Sequence, residues 1–134
     1  MTSAVSDVLA AMANLPDTAD TMLVDHYFVD KPSASARIFR IYRNLPLHYH
    51  VECDEYLYIL SGRGTFHLDG EEYEAHPGLL LHFEKTKVHG FPHISEYPLV
   101  VLSVDVPRRR PDDIVFVDPS DGDATTFMAR NKHS

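Results

Sequence analysis

Cysteine occurs once in these 134 residues, as Cys53, which excludes an internal disulfide framework and agrees with a reducing compartment. No apolar run approaches the roughly 20 residues that a bilayer-crossing helix needs. The opening MTSAVSDVLAAMANL holds Asp7 and no basic residue, so it lacks the charged start of a secretory signal, and a cytoplasmic location is expected. Basic residues are also scarce. Twelve Lys plus Arg against 20 Asp plus Glu leave a formal charge of -8, which repels a phosphate backbone or an anionic membrane, so neither nucleic acid nor membrane is an expected partner. The exception is Arg108, Arg109 and Arg110 between Pro107 and Pro111, read as a solvated loop. Fixed-period repeats and low-complexity segments are absent too.

What is present describes a folding chain. Hydrophobic residues make up 44% and charged residues 24%, ordinary for a globular protein of one domain. Val5, Val8, Leu9 and Met12 recur at helical spacing behind Ser3 or Ser6 as N-cap, which predicts one short helix within residues 1–20. From Met22 the texture changes to short runs rich in β-branched and aromatic residues: MLVDHYFVD, ARIFRIYR, EYLYILS, TFHLD, EEYEA, LLLHFE and PLVVLSVDV. Turn signals separate them. Asp69-Gly70 is the most specific, because a two-residue hairpin turn needs positive φ at both positions, and it predicts a hairpin of about 64–69 with 71–75. Many close strands without alternating helices predict an antiparallel sandwich or barrel over residues 21–117. The polar segment 118–134, without a periodic apolar pattern, is expected to lie on the surface as a tail.

Within HYHVECDEYLYILSG, residues 48–62, strand alternation puts His48 and His50 on one face. The spacer VECD is short enough for a turn that lays the next strand alongside and brings Glu55 to the pair. Imidazole nitrogen and carboxylate oxygen suit divalent iron, manganese, nickel or zinc. A His-x-His pair alone more often hydrogen-bonds to solvent or backbone, so the downstream Gly62, Pro77-Gly78 and His89 matter.

With these residues in place the sequence resembles the cupin superfamily, small jelly-roll barrels also called double-stranded β-helices. The first cupin motif, G(X)5HXH(X)3,4E(X)6G, is matched from His48 through His50 and Glu55 to Gly62. In the second, G(X)5PXG(X)2H(X)3N, the histidine falls on His89. Tyr42 replaces the leading glycine, Glu84 and Thr86 the proline and glycine before the histidine, and His93 the asparagine. The resemblance covers about residues 35–106. It implies an all-β barrel closed around a pocket, with His48, His50, Glu55 and His89 binding one divalent transition metal (Fe, Mn, Ni or Zn). It also implies a homodimer, to which Tyr49, Tyr56 and Tyr58, on the outer face by alternation, would contribute.

Parity from Glu55 places Leu57 and Ile59 inside, groups Phe66 with Leu68, and leaves His67 outward. His26, His67, His76 and His133 read as surface or hydrogen-bonded residues, and His82 as an outward polar position. His93, four residues after His89, is expected near the pocket mouth as a proton shuttle or substrate donor. Cys53 is expected at a solvent-facing loop apex. Four protein ligands on a six-coordinate ion leave about two positions for a small oxygenated substrate. The leading expectation is a metal-dependent enzyme, either a dioxygenase or an isomerase, lyase or decarboxylase. The alternatives are a non-catalytic small-molecule binding or sensor module using the same metal, and a metal-free structural barrel.

Overall fold

A computed structural model describes residues 4–130, with the side chains of residues 128–130 outside that description. The chain enters through α1 (Val8–Ala13), capped by Asp7, whose Oδ1 accepts from the Ala10 amide at 3.0 Å. Asp7 thus takes the capping role expected of a serine; Ser6 does not fill it, and Ser3 lies outside the described residues. Then follow β1 (Leu23–Lys31), β2 (Ala34–Ile41), β3 (Leu45–Tyr49), β4 (Asp54–Leu68), β5 (Glu71–Ala75), β6 (Leu80–Phe83), β7 (His89–Val106) and β8 (Val115–Phe116). A 3₁₀ turn (Pro119–Asp121) and α2 (Ala124–Arg130) close the description. No described helix is long and apolar enough to cross a membrane.

All strand pairs are antiparallel, and the fold is an all-β jelly roll built on two long strands. The half of β7 from Leu99 to Asp105 pairs β2 on one side and β4 on the other, while its half from His89 to Phe91 pairs β3 and the end of β4. The sheet curls but remains open, with β1 and β8 at the ends of its main path. The expected closure is therefore incomplete, and side chains from the C-terminal segment help to fill the interior.

The motif glycine has a steric reason. Where β4 bends against β7, Gly62 has φ +95°, and a Cβ there would stand 2.6 Å from the Pro98 oxygen; one on Gly64 would stand 2.2 Å from the His93 oxygen. The Asp69-Gly70 turn has φ 48° and 92°, and pairs Gly64–Leu68 with Glu71–Ala75 as the dipeptide predicted.

Alternation sorts the interior into an apolar and a polar end. Across β2, β7 and β4, Phe39, Val101 and Ile59 align in one row, with Leu99 facing Ile41 beside them. One step toward the other end, Arg37, Ser103 and Leu57 align, and then Ser35, Asp105 and Glu55. All of these are buried. Phe66 is buried with Leu68 packed against the same core, while His67 turns its Nε2 to the Gly70 amide. The outer face of β2 and β7 is covered by α1, where Val8, Ala11 and Met12 pack with Leu15 on Ile38 and Val100.

The polar tail is better anchored than its composition implied. Phe127 of α2 is buried, its ring 5.9 Å from that of Phe116. One aromatic gives no periodic signal, yet it is enough to dock a short helix on an exposed apolar opening. His133 lies outside the described residues.

Candidate metal centre

His48 lies on β3, His50 in the turn after it, and His89 at the start of β7, where the register sets it opposite His48. The expected pairing of the His48 strand with the Glu55 strand does not occur. β3 and β4 each pair with β7, and Glu55 reaches the histidines across the interior from a position between Phe83 and Asp105. All four side chains are buried. The ring centroids of His48 and His89 are 4.4 Å apart, and each lies 5.1 Å from that of His50. One ligand atom from each histidine falls within 4.8 Å of the others. Glu55 stands at the edge of this group, Oε1 3.3 Å from His89 Nε2 and Oε2 3.8 Å from His50 Nε2.

Hydrogen bonding fixes what these atoms offer. Nδ1 of His48 lies 2.7 Å from the Pro46 carbonyl, that of His50 2.6 Å from the Asp113 carbonyl, and that of His89 3.0 Å from the Lys87 carbonyl. A carbonyl only accepts, so each Nδ1 donates, and a ring in its neutral form then keeps its Nε2 lone pair for the centre. This is the outer-shell arrangement that orients metal-binding imidazoles. Phe83 stacks on His89 at 4.1 Å and 18° and holds its plane.

Electrostatics disfavour protonation of His48, His50 and Glu55. Burial pushes His48 well below its ordinary value, with His89 and His50 adding to the effect. Burial likewise lowers His50 to about 4, against the upward pull of Glu55. Burial acts to raise Glu55, but His50, His89 and the Arg37 guanidinium outweigh it and hold the carboxyl well below the carboxylate range. His89 Nε2 has no hydrogen-bond partner although Glu55 stands beside it. Such a set fits a cation.

Behind Glu55, Arg37 contacts three carboxylates: Asp25 at 3.2 Å, Asp105 at 3.5 Å and Glu55 at 3.6 Å. Burial raises the Asp105 carboxyl to about 6, against Arg37 and with Glu55. Sequence reading passed over both residues, though strand parity with Phe39 and with Val101 was the available signal.

The cavity holds about 20 Å³, room for an ion or one or two waters. Apart from the four side chains above, its polar lining is Arg37 and Arg109. Arg109 therefore departs from the solvated loop expected of its triplet: it is buried, whereas Arg108 and Arg110 face outward. Cys53 departs as well. The Asp113 carboxylate accepts from the Val51 and Glu52 amides at 2.7 and 3.0 Å, drawing the turn inward and leaving Cys53 1% exposed. Burial raises its thiol to about 12.

His93 is not brought to the site. The inward run of His89 and Phe91 breaks before Ile94, where β4 and β7 shift register, so His93 is exposed opposite Thr65. His82 is exposed and stacked on Tyr56, as alternation suggested.

Comparison with known proteins places these features in context. A family model described as a cupin domain matches residues 43–105, which contain all four side chains of the cluster. An uncharacterized protein of Methanocaldococcus jannaschii is 30% identical over 83 residues, spanning 62% of this chain and 66%, just under two thirds, of that protein. An uncharacterized double-stranded β-helix protein from Klebsiella pneumoniae superposes with TM-score 0.67 at 13% identity, covering 87% of this chain and 98% of that one. KdgF from Halomonas sp. gives 0.58 at 22%, covering 66% and 81%. Pac13, described as a nucleoside dehydratase, gives 0.61 at 16%, covering 78% and 88%. These three likenesses establish the fold alone.

Proposed function

Starting from the fact that this chain carries a small cupin domain, we propose that it is a metal-dependent enzyme acting on a small oxygenated molecule. His48, His50, His89 and Glu55 would hold one divalent ion, Fe, Mn, Ni or Zn. The observation supporting this is the convergence of imidazole lone pairs and an ionised carboxylate with every Nδ1 already committed to a backbone carbonyl. When bound, such an ion supplies Lewis-acid polarisation of a substrate oxygen and, in the case of iron, access to O2 chemistry.

The surrounding chain does the rest. Arg37 orients Glu55, Phe83 fixes the plane of His89, and Leu57, Phe91 and Ile114 line the cavity with apolar surface. The reaction class is a dioxygenase or a non-redox isomerase, lyase or decarboxylase; the fold likeness to a dehydratase makes lyase chemistry compatible with this architecture. Metal analysis of protein purified without added metal, then O2 uptake and anaerobic turnover on diketones, catechols and sugar acids, tests the proposal. Iron-dependent uptake assigns the dioxygenase branch, and turnover without O2 assigns the other. Stoichiometric metal with neither activity removes the enzyme reading.

One observation favours a second reading, a non-catalytic binding module. Beyond the proposed ligands and the two arginines, the cavity lining among the described residues is apolar, and none of them presents a separate acid or base to it. Oxyacid binding without turnover would establish that reading. A homodimer is proposed alongside either one, supported by Tyr56 and Tyr58 at 38% and 40% exposure with Leu80 paired beside Tyr58. Sedimentation equilibrium tests it.

A further inference from the structure

The three arginines of residues 108–110 have unlike surroundings. Arg108 pairs with Asp30 on the surface, and Arg110 lies 3.2 Å from Asp112 and 3.7 Å from Glu52. Arg109 is 5% exposed and lines the metal cavity, yet no described residue forms an ion pair with its guanidinium, and its Nε has no hydrogen-bond partner. Its backbone is fixed, the amide donating to Ser35 Oγ at 3.3 Å, and its guanidinium stands 5.9 Å from the Phe127 ring centroid.

Nearby carboxylates are otherwise engaged. Asp25, Glu55 and Asp105 surround Arg37, and the Asp113 oxygens accept from the Val51 and Glu52 amides. A buried guanidinium with no carboxylate in contact is costly, although Asp105 acts on it from farther away, and a divalent ion in the same cavity adds charge of the same sign. The arrangement is relieved by an anion entering from outside, and a planar guanidinium favours a carboxylate, which it can bind through two parallel hydrogen bonds.

We propose that Arg109 is the carboxylate-recognition residue of this cavity, and that the ligand is a small carboxylic acid with a neighbouring hydroxyl or carbonyl oxygen. The carboxylate is read by Arg109, and the neighbouring oxygen faces the histidine cluster. The second half rests on the metal reading above; the first does not. Because the cavity holds about 20 Å³, Phe127 and Ile114 must give way even to a ligand of a few heavy atoms.

The test uses the full chain with formate, glycolate and glycolamide, the last being the neutral counterpart of glycolate. Cobalt uptake is measured first, by stoichiometry and visible spectrum, and its failure overturns the metal reading alone. On cobalt-loaded protein, glycolate is expected to bind more tightly than glycolamide, and Arg109→Gln to weaken glycolate about tenfold or more while leaving glycolamide within about twofold. Arg109→Lys should fall between. On metal-free protein at constant ionic strength, formate should raise the unfolding temperature of the parent and not of Arg109→Gln. This arm stands even if cobalt does not bind. Should Arg109→Gln fail to fold, Arg109→Lys and the parent decide. Equal glycolate affinity in parent and variant, equal loss for both probes, or no formate effect on the parent overturns the assignment.

Discussion

Glu55 Oε1 lies 3.3 Å from His89 Nε2, while His89 Nδ1 is already committed to the Lys87 carbonyl at 3.0 Å. Two buried acceptors at that distance repel unless a cation lies between them or a proton is shared. Metal should therefore stabilise the folded chain. At a hundredfold excess of ion over Kd the gain is about 2.7 kcal/mol, an upward shift of several degrees in Tm, which EDTA should reverse. Calorimetry with and without zinc or manganese measures it, and an unchanged Tm would contradict the site.

Removing one ligand should cost more than loosening an outer partner, whose loss typically weakens metal affinity about 10–100-fold. His48→Ala, His50→Ala and His89→Ala are each expected to reach or exceed the upper end of that range in competition against a chromogenic chelator. Glu55→Gln keeps the shape while removing the charge, and also deprives Arg37 of one of its three carboxylates. It should therefore lower both affinity and apo stability. His93→Ala should change neither, since His93 is exposed opposite Thr65.

Acid should destabilise the metal-free chain. His48 and His50 sit below their unfolded value, so the unfolded chain takes up protons first as pH falls below about 6.5. Stability from these groups is present above that value and is lost on acidification until His50 itself protonates near 4. Asp105 works oppositely. Its carboxyl is raised to about 6, so the folded chain binds that proton first, and its contribution grows as pH falls from 6 toward the ordinary aspartate value. Two imidazoles against one carboxyl leave a net loss of up to about 1.4 kcal/mol per pH unit between about 6 and 5, and Glu55, held well below the carboxylate range, adds to the loss below that. Urea unfolding in EDTA at pH 7, 5.5 and 4.5 measures the slope; a rise in stability over that interval would reverse the assigned directions.

Cys53 should be chemically silent in the native state. It is 1% exposed with its thiol raised to about 12 by burial, so both access and thiolate are lacking. Ellman's reagent is expected to titrate it only after denaturation. Rapid native labelling would return the residue to the solvent-facing position its loop suggested.

Strand parity made much of the interior legible. Leu57 and Ile59 alternate with exposed tyrosines in a run long enough to define a face, and Asp69-Gly70 carries its own backbone requirement. The grouping of His48, His50, His89 and Glu55 was legible through its spacing, although the pairing assumed for it was not: a short VECD link is equally compatible with a hairpin and with a crossing between strands that both flank β7. His93 illustrates a different limit, since an irregularity between Phe91 and Ile94 moves the inward position from odd to even until further register shifts restore it by Leu99, and nothing in the residues marks it. Arg109 and Cys53 lie in connections, where no period applies. Their burial is decided by distant partners, Ser35 for the first and Asp113 for the turn holding the second.

Asp113 gives the last prediction, because it acts on the centre without reaching it. Its carbonyl accepts from His50 Nδ1 at 2.6 Å, while its carboxylate binds the amides of Val51 and Glu52, so one residue fixes both the ring and the turn that carries it. Asp113→Ala retains the carbonyl but leaves two part-buried amides without acceptors, a loss of about 1–3 kcal/mol, and frees the turn. Metal affinity should fall about tenfold, within the range for outer-shell partners. Cys53 should begin to label under native conditions, since the same contact keeps it inward. Asp113→Asn, with one acceptor oxygen instead of two, should show part of each effect. Stability, metal affinity and thiol access moving together would identify Asp113 as a positioning residue, whereas a stability loss with affinity and labelling unchanged would reduce it to a loop staple.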